Sequence, residues 1–206
     1  MSNFSFPMAI TVDTLHVRRA PGTGSDSVGF VHKGAQLTAS DMDGSGTWLA
    51  VTGKKGVPSG WCSARYIQPV AASLPSWVPT ACGEIGVKEY LGDDLNHPRI
   101  QQYLATVNGL NGHQRLTDET PWCSCFMNWC VEQAGLPGTD SASARSWANW
   151  RNPVALKSAE LGQIAVFERV SPSANGGHVG IFIATDAAQT QILVLGGNQG
   201  NSVRFS

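Results

Sequence analysis

The stretch "DETPWCSCFMNWC", residues 118–130, sets Cys123, Cys125 and Cys130 close together in a chain that holds five cysteines. Clustered thiols can do three kinds of chemistry: hold a metal, form a disulfide, or supply one reactive sulfur. A structural zinc site takes four ligands, commonly in C-x2–4-C pairs. The spacing here is C-x-C-x4-C, and on a helix Cys123 and Cys125 point about 200° apart. His113, upstream in a loop, is no obvious fourth ligand, so no metal is expected. The same divergence rules out a Cys123–Cys125 bridge, and Cys130 lies roughly 10 Å along the axis from Cys123, too far for a disulfide. A reactive thiol has a mechanism. Thr120 reads as an N-cap and Pro121 as the first helical residue, which puts Cys123 in the first turn among N–H groups without intrahelical partners. Their partial positive charge favours a thiolate and can hold an oxyanion. Cys125 points elsewhere, and Cys130 reads as a small core hydrophobe. Three buried core cysteines remain the competing account, since buried cysteine is common.

A thiol enzyme needs a histidine within hydrogen-bond reach and a third group to orient it. His16 and His32 fall on strand or turn positions, and His97 and His113 in polar loops. His178 follows "SANGG" and opens the alternating run "HVGIFIAT", where His178 shares a face with Gly180 and Phe182. A satisfied strand-edge histidine is the plainer alternative. If the hairpin turn is centred on Ala187–Ala188, His178 faces Gly197 with Asn198 beside it, so "GGNQG" brings an amide to the ring. Asn198 is the expected orienting residue, with Gln199 taking over if the register slips by one. Asp118 and Glu119 are candidates for an amino group of a substrate or for the positive helix end, against a simply solvated turn. Arg145 and Trp147 are candidate cleft residues, with packing the safer reading for Trp147.

These side chains must be carried by a fold. The chain has 206 residues, 42% hydrophobic and 14% charged, with a net charge of −1. That composition is globular, and it supplies no global basic field for nucleic acid or anionic lipid. No apolar run is long enough to span a bilayer, and the start "MSNFSFPMAITV" lacks the basic and long apolar regions of a secretory signal. An odd cysteine count without small-scaffold spacing argues against a disulfide framework and for synthesis in a reducing cytoplasm. Up to residue 70, short alternating segments ("TLHVR", "SVGFV", "AQLTA", "TWLAV", "GWCSARYI") separated by glycine-containing turns predict a small all-β barrel. Residues 71–79 read as a linker. Residues 80–206 then predict two short helices over 80–107, a stronger one over 120–134 stopped at Gly135, and a further helical stretch over 141–150. Strands follow at 162–169, 178–185 and 191–197. Helices followed by strands predict an α+β domain on an antiparallel sheet. The chain ends at "NSVRFS", where a few more residues are expected to complete the sheet.

Taken in order, "DETPWCSCFMNWC", "ARSWANW", "GQIAVFER", "GGHVGIF" and "VLGGNQG" resemble the papain-like cell-wall cysteine peptidases of the NlpC-type superfamily, close to the CHAP amidases, and best a phage-associated subgroup. The resemblance covers roughly residues 77–206. The N-terminal "LHVRRAPGTGSDSVGFVHKGAQL" and "SGWCSARYI" resemble a bacterial SH3-type domain, with His16 where that pattern usually has Asn. The resemblance implies a peptidoglycan-binding SH3-type domain before a papain-like hydrolase. It assigns Cys123 as nucleophile, His178 as base and Asn198 as third residue, with no metal or organic cofactor. Members cleave between D-glutamate and a diamino acid; CHAP relatives cut the muramoyl–L-alanine bond or the cross-bridge. A monomer is expected that acts in the periplasm or wall after release through a holin pore or injection, the latter implying a cognate immunity protein. The alternatives are a non-catalytic wall-binding protein and an intracellular acyl transferase on the same fold.

Overall fold

The computed structural model describes residues 4–54, 56–92, 95–107, 117–151, 153–168 and 177–206. His113 and the residues just before Gly177 lie outside them. The first unit is all β: β1 (Phe6–Ile10), β2 (Thr14–Arg18), β3 (Ser27–His32), β4 (Gln36–Met42), β5 (Trp48–Gly53), β6 (Gly60–Ser63) and β7 (Ile67–Pro69). They form one antiparallel sheet in the order β3-β2-β6-β5-β4-β1-β7. Alternation builds its core: Phe6, Met8 and Ile10, Leu15 and Val17, Leu37 and Ala39, and Leu49 and Val51 are all buried, as period-2 side chains on one face must be. β1 was not among the expected strands. It pairs with both β4 and β7, so the first strand of this unit joins its middle to its last.

The second unit begins earlier than the expected linker allows. Helix α1 spans Trp77–Gly83, and the Trp77 indole N–H donates to the Gly162 carbonyl at 2.8 Å. Helix α2 (Pro98–Leu104) follows, capped by the His97 ring, whose Nδ1 accepts from the Arg99 N–H at 3.1 Å. Helix α3 (Cys123–Gln133) is the centre of the unit, and every residue from Cys123 to Val131 is buried. A helix apolar on all sides belongs inside a domain. Its polar members are satisfied: Asn128 bonds the Ser124 and Ser141 carbonyls and the Thr139 and Asp140 N–H groups. Gly135, at φ 75°, ends the helix in the left-handed conformation, and the Leu136 N–H returns to the Val131 carbonyl at 3.0 Å. The stretch expected to be helical at 141–150 is a 3-10 helix, Ala144–Asn149.

The sheet beneath α3 is antiparallel in the order β11-β10-β9-β8, from β8 (Ile164–Glu168), β9 (Gly177–Thr185), β10 (Ile192–Gly196) and β11 (Arg204–Phe205). This is the expected α+β class. β11 is the strand that sequence periodicity missed. Two residues carry no alternation signal, and tertiary contacts fix this pair: Phe205 is buried, faces the Phe6 ring at 6.5 Å, and donates its N–H to the Gly46 carbonyl at 3.0 Å. Gly46, at φ 64°, allows that contact, since a Cβ there would sit 2.0 Å from the Phe205 carbonyl oxygen. The two units therefore share a packed seam.

Candidate active site

Helix α3 starts at Cys123, with Trp122 in the capping position and the Phe126 N–H bonded to the Trp122 carbonyl at 2.9 Å. The expected start at Thr120–Pro121 is corrected by two residues; the Thr120 N–H closes a turn onto the Thr117 carbonyl instead. The cause is Trp122. Its indole is fully buried beside the Tyr103 and Phe126 rings, and its N–H donates to Glu89 Oε1 at 2.7 Å. Burying an indole of roughly 200 Å² is worth about 5 kcal/mol at about 25 cal/mol per Å², whereas a threonine cap contributes about 1 kcal/mol. Packing of Trp122 decides where the helix begins. Cys123 becomes the first helical residue, and the Ser124 and Cys125 N–H groups precede the helical ladder.

Cys123 and His178 border one cavity of about 310 Å³, with Pro121, Phe167, Glu168, Gly177 and Asn198. Cys123 is only 6% exposed, yet the residue lines the cavity. The Val179 N–H, next to His178, points at that sulfur, as do those of Ser124 and of Cys123 itself. The helix start and the start of β9 thus meet at the thiol. Burial still pushes the thiol up, and the three N–H groups only partly offset it. Desolvation opposes the thiolate that the helix end favours. Cys62, Cys82 and Cys125 are buried and pushed up to about 12 by burial, and burial also raises Cys130 well above the ordinary thiol value. All five cysteines are free.

The hairpin register differs from the one expected. Ile192 faces Thr185 and Leu193 faces Ala184, then a bulge at Leu193–Val194 shifts the pairing so that Leu195 faces Ile181. The amide that meets the ring is Gln199, whose Oε1 lies 2.9 Å from His178 Nε2. Asn198 lines the cavity at φ 55° and has no bond to the ring. The Gln199 orientation is fixed from its other end, because its Nε2 donates to the Arg204 carbonyl. Its oxygen must then face the imidazole, so His178 Nε2 carries the proton and Nδ1 is the free lone pair. Burial lowers the His178 pKa, with the Gln199 bond opposing. Burial thus works against the charged form of both groups.

Two glycines let these elements close on each other. A Cβ on Gly197 would lie 2.6 Å from Phe126 Cβ and from Trp122 Cζ3, and one on Gly196 would lie 3.3 Å from His178 Nε2. The Phe167 ring stands 5.9 Å from the His178 ring, its partner across β8 and β9.

The remaining expected residues are dispersed. Asp118 is buried, and its carboxylate accepts the His97 N–H at 2.9 Å, so it ties a loop down and is not a solvated turn residue. Glu119 is exposed, outside the cavity lining. Arg145 is exposed and also outside that lining. Trp147 is buried, its indole N–H donating to Ser124 Oγ at 2.8 Å, a packing role. Two acids were missed. Glu168 lines the cavity because it pairs with Gly177, one place from the Phe167–His178 pair; the β8–β9 register would have found it. Glu89 holds the Trp122 indole, and burial raises its pKa, with Glu119 and Asp118 adding to the rise. No local pattern marks it. Among the described residues no group of three or more His, Cys, Asp or Glu could hold a metal ion, and no helix is long and apolar enough to cross a membrane.

Residues 13–68 match the family model of the bacterial SH3 domain, and residues 116–198 match that of the CHAP domain. No curated protein matches the chain in sequence. Among solved structures, NlpC1 from Trichomonas vaginalis is 14% identical with a TM-score of 0.39; the match covers 98% of this chain and 64% of that one. NlpC2 from the same organism is also 14% identical at a TM-score of 0.39, over 98% of this chain and 67% of its own. The chain joins a segment similar to bacterial SH3 domains to a segment similar to CHAP domains.

Proposed function

We propose that this protein is a peptidoglycan hydrolase that cleaves an amide bond of the stem peptide, with Cys123 as nucleophile and His178 as general base. The observation that carries this is the shared cavity of Cys123 and His178, with the His178 tautomer set by Gln199. His178 Nδ1 takes the thiol proton as the sulfur attacks the substrate carbonyl. The N–H groups of Ser124 and Val179 stand near the sulfur and can stabilise the oxyanion. The imidazolium then protonates the leaving amine, which departs and leaves a thioester. Water, deprotonated by the same ring, hydrolyses the thioester and returns the thiol. Gln199 is the positioning residue in place of Asn198. Each step uses only groups of this chain, and no metal or organic cofactor enters the scheme.

The finer reading is cleavage between D-glutamate and the diamino acid. The CHAP match favours a second one, cleavage of the muramoyl–L-alanine bond. Delivery through a holin pore, or by injection with a cognate immunity protein present in the producer, belongs to the same proposal. Purified protein is incubated with peptidoglycan beside Cys123→Ala, and soluble fragments are identified by mass. Stem fragments that begin at the diamino acid support the first bond; free intact stems support the second. No fragments from wild type would sink the hydrolase and favour a non-catalytic wall-binding protein. Lysis on export to the periplasm, with none from cytoplasmic expression, tests the site of action.

A further inference from the structure

We propose that the cleft between the two units is a second binding site, one that takes a peptide carboxylate of the same wall polymer; it rests on the hydrolase reading for the identity of that polymer. The cleft encloses about 470 Å³ and is lined from both units. The first unit supplies Ser45, Trp48, Ser63 and Arg65; the second supplies Lys88, Ser202 and Arg204 among others. Three lining residues are cationic and none is acidic. Hydroxyls ring the cations, the mix that recognises a carboxylate.

Two acids lie close to this lining and are already engaged. Glu84 is gripped by Arg99 through Nε and Nη2 at 2.7 and 2.6 Å. The Asp43 carboxylate accepts from the Ser45, Thr47 and Trp48 N–H groups. Glu84 also acts electrostatically on Arg65, yet neither acid lines the cleft itself, where the cations stand without a carboxylate. Arg204 sharpens the case. Its Nη1 donates to the Gly44 and Ser45 carbonyls at 3.2 and 3.4 Å. Its Nε is buried without a hydrogen-bond partner, the one such side-chain atom found among the described residues. Buried donors are rarely left unsatisfied, which marks the Arg204 guanidinium as incompletely answered at this edge of the cleft.

The cleft is also next to the reaction. Asn198 lines the cavity of Cys123 and His178, while Gly200 and Ser202 line the cleft, so one short loop separates the two. An extended acidic peptide held in the cleft can continue over that loop to the thiol.

The test uses the full chain carrying Cys123→Ala, titrated with N-acetylglutamate as dicarboxylate probe and with its diamide. Amide NMR shifts are followed at Gly86, Lys88, Gly200 and Ser202. The dicarboxylate is expected to saturate shifts at these positions and the diamide to give none. In Arg65→Ala/Lys88→Ala the affinity should fall about tenfold, with a matching loss in cosedimentation with peptidoglycan, as expected for removing two exposed charge-assisted contacts. Equal shifts from the diamide, no shifts at the cleft, or undiminished affinity in the double variant would overturn the site. A wild type that releases no fragments from peptidoglycan bears on the hydrolase alone; a cleft that binds the probe but a double variant that binds peptidoglycan undiminished bears against the polymer assignment here.

Discussion

Replacing Gln199 by Leu removes two bonds from a side chain that is 7% exposed: one to His178 Nε2, one to the Arg204 carbonyl. Leucine nearly conserves the volume, so the cost comes from polarity. An orphaned buried carbonyl costs about 1–3 kcal/mol, which in a two-state transition is read directly from a shift in the denaturant midpoint. The catalytic cost is separate. Without the amide, His178 is free to exchange tautomers and to swing, and loss of the group that orients a catalytic histidine lowers kcat by up to about 10⁴-fold. We expect a fall of about 10²–10³-fold, because glutamine supplies no charge to stabilise the imidazolium. The assay is fragment release from purified peptidoglycan, with ¹⁵N chemical shifts of the His178 ring in Cys123→Ala reporting the tautomer directly. Asn198→Ala is the control, expected to stay within about threefold of wild type, since Asn198 only lines the cavity. Full activity in Gln199→Leu together with loss in Asn198→Ala would refute the tautomer argument.

Three further perturbations test other parts of the site. Brief iodoacetamide treatment of native protein should label Cys123 alone by mass spectrometry, because Cys62, Cys82, Cys125 and Cys130 are at most 3% exposed; equal labelling of Cys125 would count against the site. Since burial lowers the His178 pKa, the acid limb of kcat/KM should have its midpoint below 6.5. The unfolded state then binds the proton more tightly, so the contribution of His178 to stability is complete above 6.5 and is lost as pH falls through the folded value; an acid midpoint above 6.5 would contradict the effect of burial on the ring. Gly197→Ala forces a methyl to 2.6 Å from Trp122 and Phe126. It should cost about 1–3 kcal/mol in chemical denaturation and lower activity with it, whereas wild-type stability would show that α3 and β10 do not close as described.

Much of the architecture was legible in local pattern. Five strands of the first unit announce themselves by alternation between glycine-containing turns, and the strand runs before and after residue 180 do the same. β1 and β11 were not, for a common reason. Each is decided by partners far away in sequence: β1 by β4 and β7, and Arg204–Phe205 by β10, Phe6 and Gly46. Glu89 was invisible for the same reason, since its partner Trp122 lies 33 positions on.

By itself the sequence determined the residue types at the site: a cysteine after "DETPW", a histidine opening an alternating strand, and an amide pair behind two glycines. These are local matters of composition and spacing. Which amide meets the ring, where α3 begins and how strongly burial acts on the thiol were decided by the tertiary structure alone. Beyond the end of β10 the turn brings Gln199 to the ring, held from its other side by the Arg204 carbonyl. The buried Trp122 moved the helix start to Cys123. Desolvation, which exists only once the second unit folds around the cavity, raised the thiol against the field of its own helix.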